Sequence, residues 1–222
     1  NAIAIGYLAG YTSQIENAIA IGQNSGVDSQ GQHSIAIGAF AGQTNQSSSC
    51  VSVGFSAGRS GQQFGAVAIG FSAGRFTQGA GSVAIGNTAG RTFQNVGAVA
   101  IGVDCGSGTQ GINSVAVGAG AGKTFQGDGS VAIGDRAGSG TQGVNAVAIG
   151  LQAGQNTQGS HAVSIGYSAG SISQQCASIS IGYQAGQNSQ GVSAIAIGNT
   201  AGNTNQGANA IAIGNLAGGT QQ

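Results

Sequence analysis

NAVAIGLQAGQNTQGS, residues 145–160, decides the fold, because the rest of the chain is this stretch rewritten. Cutting every sixteen residues from Asn1 gives thirteen full units and a fourteenth that stops at Gln222, with no insertion or deletion. The unit reads x-[AS]-[IV]-[AS]-[IV]-G-x-x-A-G-x-x-x-Q-x-x. Positions 3 and 5 are Ile or Val in every unit, from Ile3 and Ile5 to Ile211 and Ile213; positions 2 and 4 are Ala or Ser, except at Cys50. Strict alternation of β-branched and small residues is a strand pattern, since successive side chains point to opposite faces. Helix is excluded, because the apolar period is two and Gly interrupts before another turn could form.

Positions 6 and 10 are Gly throughout, as at Gly150 and Gly154. Gly supplies positive φ or close backbone approach, so these columns read as the corners of turns. Position 9 is Ala except at Ser25 and Cys105, which implies a small inward pocket at a corner. Position 14 is Gln from Gln14 through Gln222. A solvated loop has no need of one amide at every turn, so Gln142, Gln158 and Gln174 are read as rungs of a stacked amide ladder. The alternative is a Gln that bonds the backbone of its own loop.

Sixteen residues fit two short strands and two turns, whereas a three-sided helix of hexapeptides needs about eighteen. The expected fold is therefore all-β: a parallel β-solenoid, a two-sided β-roll of fourteen 16-residue coils, forming one domain over residues 1–222. Coils ~4.8 Å apart would make a rod of ~65–70 Å. The Ile/Val rows are expected to fill the interior, so that Ile149→Asp would be severely destabilising. The Ala/Ser face, flat and nearly uncharged, is expected to lie outside and to be covered by copies of the chain.

Charged residues are only 5% of the chain and their net charge is zero, yet 40% hydrophobic residues held in register argue for an ordered solenoid rather than disorder. Open solenoid ends expose strand edges and normally need caps. The absence of atypical end units leads to the expectation of a segment of a longer fibre, or a subunit whose ends neighbours cover. No apolar run approaches the ~18–20 residues of a membrane span. Cys50, Cys105 and Cys176 are three and four coils apart, beyond the ~7 Å that a disulfide spans, and are expected to be thiols.

Residues 118–124, GAGAGKT, imitate a phosphate loop, but the first Gly that the motif requires is replaced by Val117 and no helix is expected to follow. His33 and His161 stand eight coils apart, too far to share a metal. No carboxylate pair faces a basic or nucleophilic partner in adjacent coils, and a regular rod lacks the concave pocket an enzyme needs. No catalytic residue, metal or cofactor is expected.

Function then belongs to the variable columns. Position 11 holds Arg59, Arg75 and Arg91 in successive coils and Lys123 two coils later; position 7 holds Phe55 and Phe71, then Tyr167 and Tyr183. Arg forks suit carboxylate or sulfate groups, and aromatic faces suit sugar rings. Arg59, Arg75, Arg91, Lys123, Phe55 and Phe71 are thus the candidate ligand patch. Drift of exposed turn positions is the plainer account of the same columns.

The strand Ala146-Val147-Ala148-Ile149-Gly150 and its counterparts resemble the head repeats of trimeric autotransporter adhesins, and similar arrays in fibre-like surface proteins of phages and large DNA viruses. The resemblance covers the whole chain, although the adhesin unit is usually shorter, and Ala-Gly at positions 9 and 10 with Gln at 14 is not its usual turn. It implies a left-handed roll, a homotrimer and a place outside the cell or on a virion. The expected function is a structural and adhesive fibre segment. Its expected partners are copies of itself, and an acidic glycan or host surface, with neither nucleic acid nor membrane insertion. The second reading is an ice-binding solenoid, which suits flat small-residue faces but lacks an unbroken Thr column; the third is a filament without a ligand.

Overall fold

The computed structural model describes residues 1–219 and is an all-β parallel β-solenoid with two strands per coil, without helix among the described residues. Gln222, the last of the Gln column, lies outside the described residues. The chain divides into two compact units, Asn1–Asn113 and Ser114–Gln222. In the first unit, seven strands from Ile3–Ile5 to Val99–Ile101 belong to the aliphatic sheet and seven from Thr12–Gln14 to Thr109–Gln110 to the glutamine sheet. The second unit repeats this with seven strands from Val115–Val117 to Ile211–Ile213 and six from Phe125–Gln126 to Thr204–Gln206.

Register is set by the repeat itself. Val131, Val147 and Val163 pair in line, as do Ile133, Ile149 and Ile165, so each side chain rests on its equivalent one coil away. The corners are laddered as well: Ser168 N–H donates to Leu151 O and Gly154 N–H to Ala169 O, both at 2.9 Å. Backbone groups that a looser coil would leave to water are paired with neighbouring coils.

Two turns close each coil. In the coil of residues 145–160, Ala153 N–H donates to Gly150 O, and Ala162 N–H to Gly159 O, each at 3.3 Å. The third residues of these turns, Gln152 and His161, have φ of 58° and 61°. Positive φ at that place alone is the type II geometry. The two invariant glycines have separate duties. At Gly150, φ is +124° and a Cβ would stand 2.6 Å from Gly166 O of the next coil. At Gly154, φ is +53° and a Cβ would stand 2.7 Å from Gln158 Oε1.

The two faces of the aliphatic sheet are opposite to the sequence expectation. Ala146, Ala148 and Ala153 are fully buried, and so are their counterparts between the end coils, with Ser52, Ser164 and Ser180 standing in for Ala at position 4. Val147 and Ile149 are only half-buried, and Ile133 and Ile165 are 39% and 36% exposed. The interior is made of Ala, Ser and Gln; the Ile/Val rows lie outside. The cause is the thinness of the coil. A Cβ on Gly154 would come within 3.2 Å of the Ala148 methyl, so the far wall already touches Ala and leaves no room for Ile.

The glutamine sheet also shows sequence choosing backbone. Where position 13 is Ser13, Ser29, Asn45, Gly61, Ser173, Ser189 or Asn205, φ is positive; Phe93, Thr109, Phe125, Thr141 and Thr157 avoid that region and their strands shorten to two residues. Aromatic and β-branched residues tolerate positive φ poorly. Thr77, at φ 42°, is the exception.

Candidate functional site

Arg59, Arg75 and Arg91 all belong to the first unit, one per coil. Their backbones are fixed, since their carbonyls accept from Thr44, Ser60 and Phe76 N–H at 2.9, 3.0 and 3.0 Å. Arg59 Nε donates to Gln43 Oε1 at 2.8 Å, and its guanidinium carbon lies 5.5 Å from the Phe40 ring centre. The Arg75 guanidinium carbon lies 4.9 Å from the Phe76 ring centre. Cation–π contacts of this kind orient the guanidinium without neutralising it. None of the three has a carboxylate partner among the described residues, and residues 29–103 contain no acid. Asp104, a coil beyond Arg91, accepts from the Thr88 hydroxyl.

Phe55 and Phe71 stack face to face, with ring centres 5.3 Å apart and planes within 10°. Phe40 meets Phe55 edge-on at 5.7 Å. Phe40 therefore joins the aromatic stack to Arg59. Phe55 and Phe71 both stay exposed, at 47% and 53%. Tyr167 and Tyr183 repeat the stack in the second unit at 5.0 Å. Lys123 is exposed in the second unit.

Phe40, Gln43 and Phe76 were not among the sequence candidates. Two of them were within reach of a simple rule: residues sixteen apart are neighbours, which pairs Gln43 with Arg59, and Phe76 follows Arg75 directly. Phe40 is fifteen residues before Phe55, a diagonal that column-by-column reading skips.

The Gln column crosses the coil interior. Every one of the thirteen described Gln residues donates Nε2 to the position 3 carbonyl of its own coil, as Gln142 does to Val131 O at 2.8 Å, Gln158 to Val147 O at 2.7 Å and Gln174 to Val163 O at 3.0 Å. Bonds between coils add to this in places. Gln46, Gln62, Gln78 and Gln94 run Nε2 to Oε1 at 3.0, 2.8 and 3.0 Å. Gln142 reaches Gln158 at 3.1 Å, but between Gln158 and Gln174 the hydroxyl of Ser164 mediates. Each amide ties one sheet to the other, which holds the cross-section at its width.

Cys50 and Cys105 are buried and Cys176 is exposed. Burial pushes the Cys50 thiol up, against hydrogen bonds from nearby backbone that lower it. No group of three His, Cys, Asp or Glu that could hold a metal occurs among the described residues. A groove of about 550 Å³ over the first four coils is lined by Ser13, Ser29, Asn45, Ser48 and Phe64 among others, without carboxylate, imidazole or thiol. No helix of the described residues is long and apolar enough to cross a membrane. No protein-family model matches the chain, and no curated protein shows significant similarity to it.

Proposed function

We propose that this chain is a structural and adhesive segment of a fibre, outside the cell or on a virion, whose copies associate side by side through the Ile/Val face. The observation that carries this is the outward position of two continuous β-branched rows, with Ile37, Ile69 and Ile101 37–39% exposed in the first unit and Ile133 39% in the second. Extended apolar surfaces on soluble chains mark interaction sites. A second copy is the occupant, for two reasons. A face that repeats once per coil is matched in register by a surface of the same period. A chain with five basic and five acidic residues also opposes its own copies with little charge.

In one unit the face measures ~30 Å by ~10 Å, so ~300 Å², against the ~800 Å² per partner of a typical stable interface. Each added coil extends the face, which is what a fibre needs. Three copies are proposed, as in the adhesin heads that the repeat resembles. Ice binding has less support, because the small-residue rows that would meet ice are inside the coil; thermal hysteresis at micromolar protein separates the two.

Light scattering tests the proposal. The parent should be oligomeric, and Ile133→Lys, Ile149→Lys and Ile165→Lys together should make it monomeric with an unchanged far-UV spectrum. A parent that is monomeric at every concentration removes the association.

A further inference from the structure

We infer that Arg59, Arg75 and Arg91, with Phe40 and Phe55 beside the first of them, bind a linear acidic polysaccharide laid along the coil stack. This rests on the adhesive reading above but not on side-by-side association. Three cations at the same place in successive coils, just ahead of the glutamine-sheet strands and with no acid among them, form a field that the protein does not neutralise itself. Screening weakens the mutual repulsion at exposed sites without removing it. Arg carries five N–H donors, of which Arg59 uses one on Gln43.

Spacing chooses the ligand class. Backbone hydrogen bonds between coils, Ser60 N–H to Arg75 O and Phe76 N–H to Arg91 O, hold the three Arg backbones at the coil spacing of ~4.8 Å. A pyranose ring is about as long as one coil is high, and in a twofold chain successive rings turn their substituents to opposite sides. With an acid on every ring, the same-face acidic groups therefore recur every second ring, in step with Arg59 and Arg91. An extended acidic peptide puts same-face carboxylates ~6.8 Å apart, and drifts out of step within three coils. Guanidinium forks take carboxylate or sulfate bidentately. Phe55 and Phe71, exposed beside the column, add aromatic surface against which a sugar ring can pack.

The experiment is calorimetric titration of the full chain with oligogalacturonates of defined length, with neutral dextran oligomers and poly-Glu as comparisons. Affinity should rise with length until the ligand spans the three Arg and then level off. Arg59→Gln, Arg75→Gln and Arg91→Gln are repeat-compatible, since Gln43, Gln155 and Gln187 occupy the same column. Arg59→Gln and Arg91→Gln should each weaken binding ~10-fold or more, the loss of a charge-assisted bond, with melting and oligomeric state unchanged. Binding no tighter than that of dextran, equal binding by the triple variant, or poly-Glu binding as well as oligogalacturonate each overturns the inference. With the oligomer intact, those results leave the structural reading standing; a monomeric parent that still binds the sugar does the reverse.

Discussion

Gln158→Glu changes one group, an amide nitrogen to an oxygen, and keeps the volume. In the native coil that nitrogen donates to Val147 O at 2.7 Å, to Ala162 O at 3.3 Å and to Ser164 Oγ at 3.1 Å. The side chain is 1% exposed. A neutral Glu retains one O–H, enough for Val147 O, and loses the other donations at ~1–2 kcal/mol. An ionised Glu sets a charged oxygen against two carbonyl oxygens without water, at several kcal/mol more. The folded state therefore raises the pKa of this Glu above its unfolded value of ~4.3. The sign follows: between those two values the folded state holds the proton and the unfolded state has lost it. Stability relative to the parent is thus best below ~4.3 and falls by ~1.4 kcal/mol per pH unit above it, until the folded pKa is reached. Urea denaturation of both chains, followed by far-UV circular dichroism at several pH values, measures the difference directly. A Gln158→Glu chain as stable as the parent at neutral pH, with a flat pH difference, would refute the amide's place inside the coil.

The inverted faces give a second test: Ala148→Ile should cost ~3 kcal/mol or more by overpacking, while Ile149→Asp should cost only ~1 kcal/mol, both measured on dilute, monomeric chain. The opposite order in urea midpoints would put the Ile/Val rows back inside. Gly150→Ala should be far worse than Gly65→Ala, since a Cβ at Gly150 meets Gly166 O at 2.6 Å whereas one at Gly65 meets nothing within 4 Å. Gly65→Ala carries only the ~1–2 kcal/mol of positive φ, a conformation that Ala177 already adopts at φ 56°; equal melting temperatures for the two variants would contradict the close approach. In a thiol titration of native protein, Cys176 should react at once, with Cys50 and Cys105 following only on denaturation. Rapid reaction of all three thiols would show that the interior is open.

The same contrast of columns separates what was legible from what was not. At Ile149 and Ala148 the sequence shows that the two side chains face opposite ways, because alternation is a property of the strand alone. It also determines the sixteen-residue coil, the two strands, the parallel register and the turn between Gly150 and Gly154, since each is a local demand repeated without error; the second turn, from Gly159 to Ala162, has no invariant Gly column to mark it. In the candidate site the Arg59–Arg75–Arg91 column follows from counting sixteens, but the Phe40 contact and the Phe55–Phe71 stacking geometry depend on side-chain rotamers that a column does not specify.

Which face of the sheet is interior was decided only by tertiary structure. Burying Ile and Val is the usual solution, and it fails here because opposite walls of a sixteen-residue coil approach within a methyl group of each other, as Gly154 and Ala148 do. The free choice between Ile and Val at positions 3 and 5, beside the strict limit to Ala, Ser or Cys at positions 2, 4 and 9, was the trace this left in the sequence. A position that accepts two sizes has space beyond it, and one that accepts only the smallest has a wall. The Gln column is the counterpart: one long side chain per coil fits because Gly at position 10 leaves room for its amide, and the distance between the two sheets sets where that amide finds its partners.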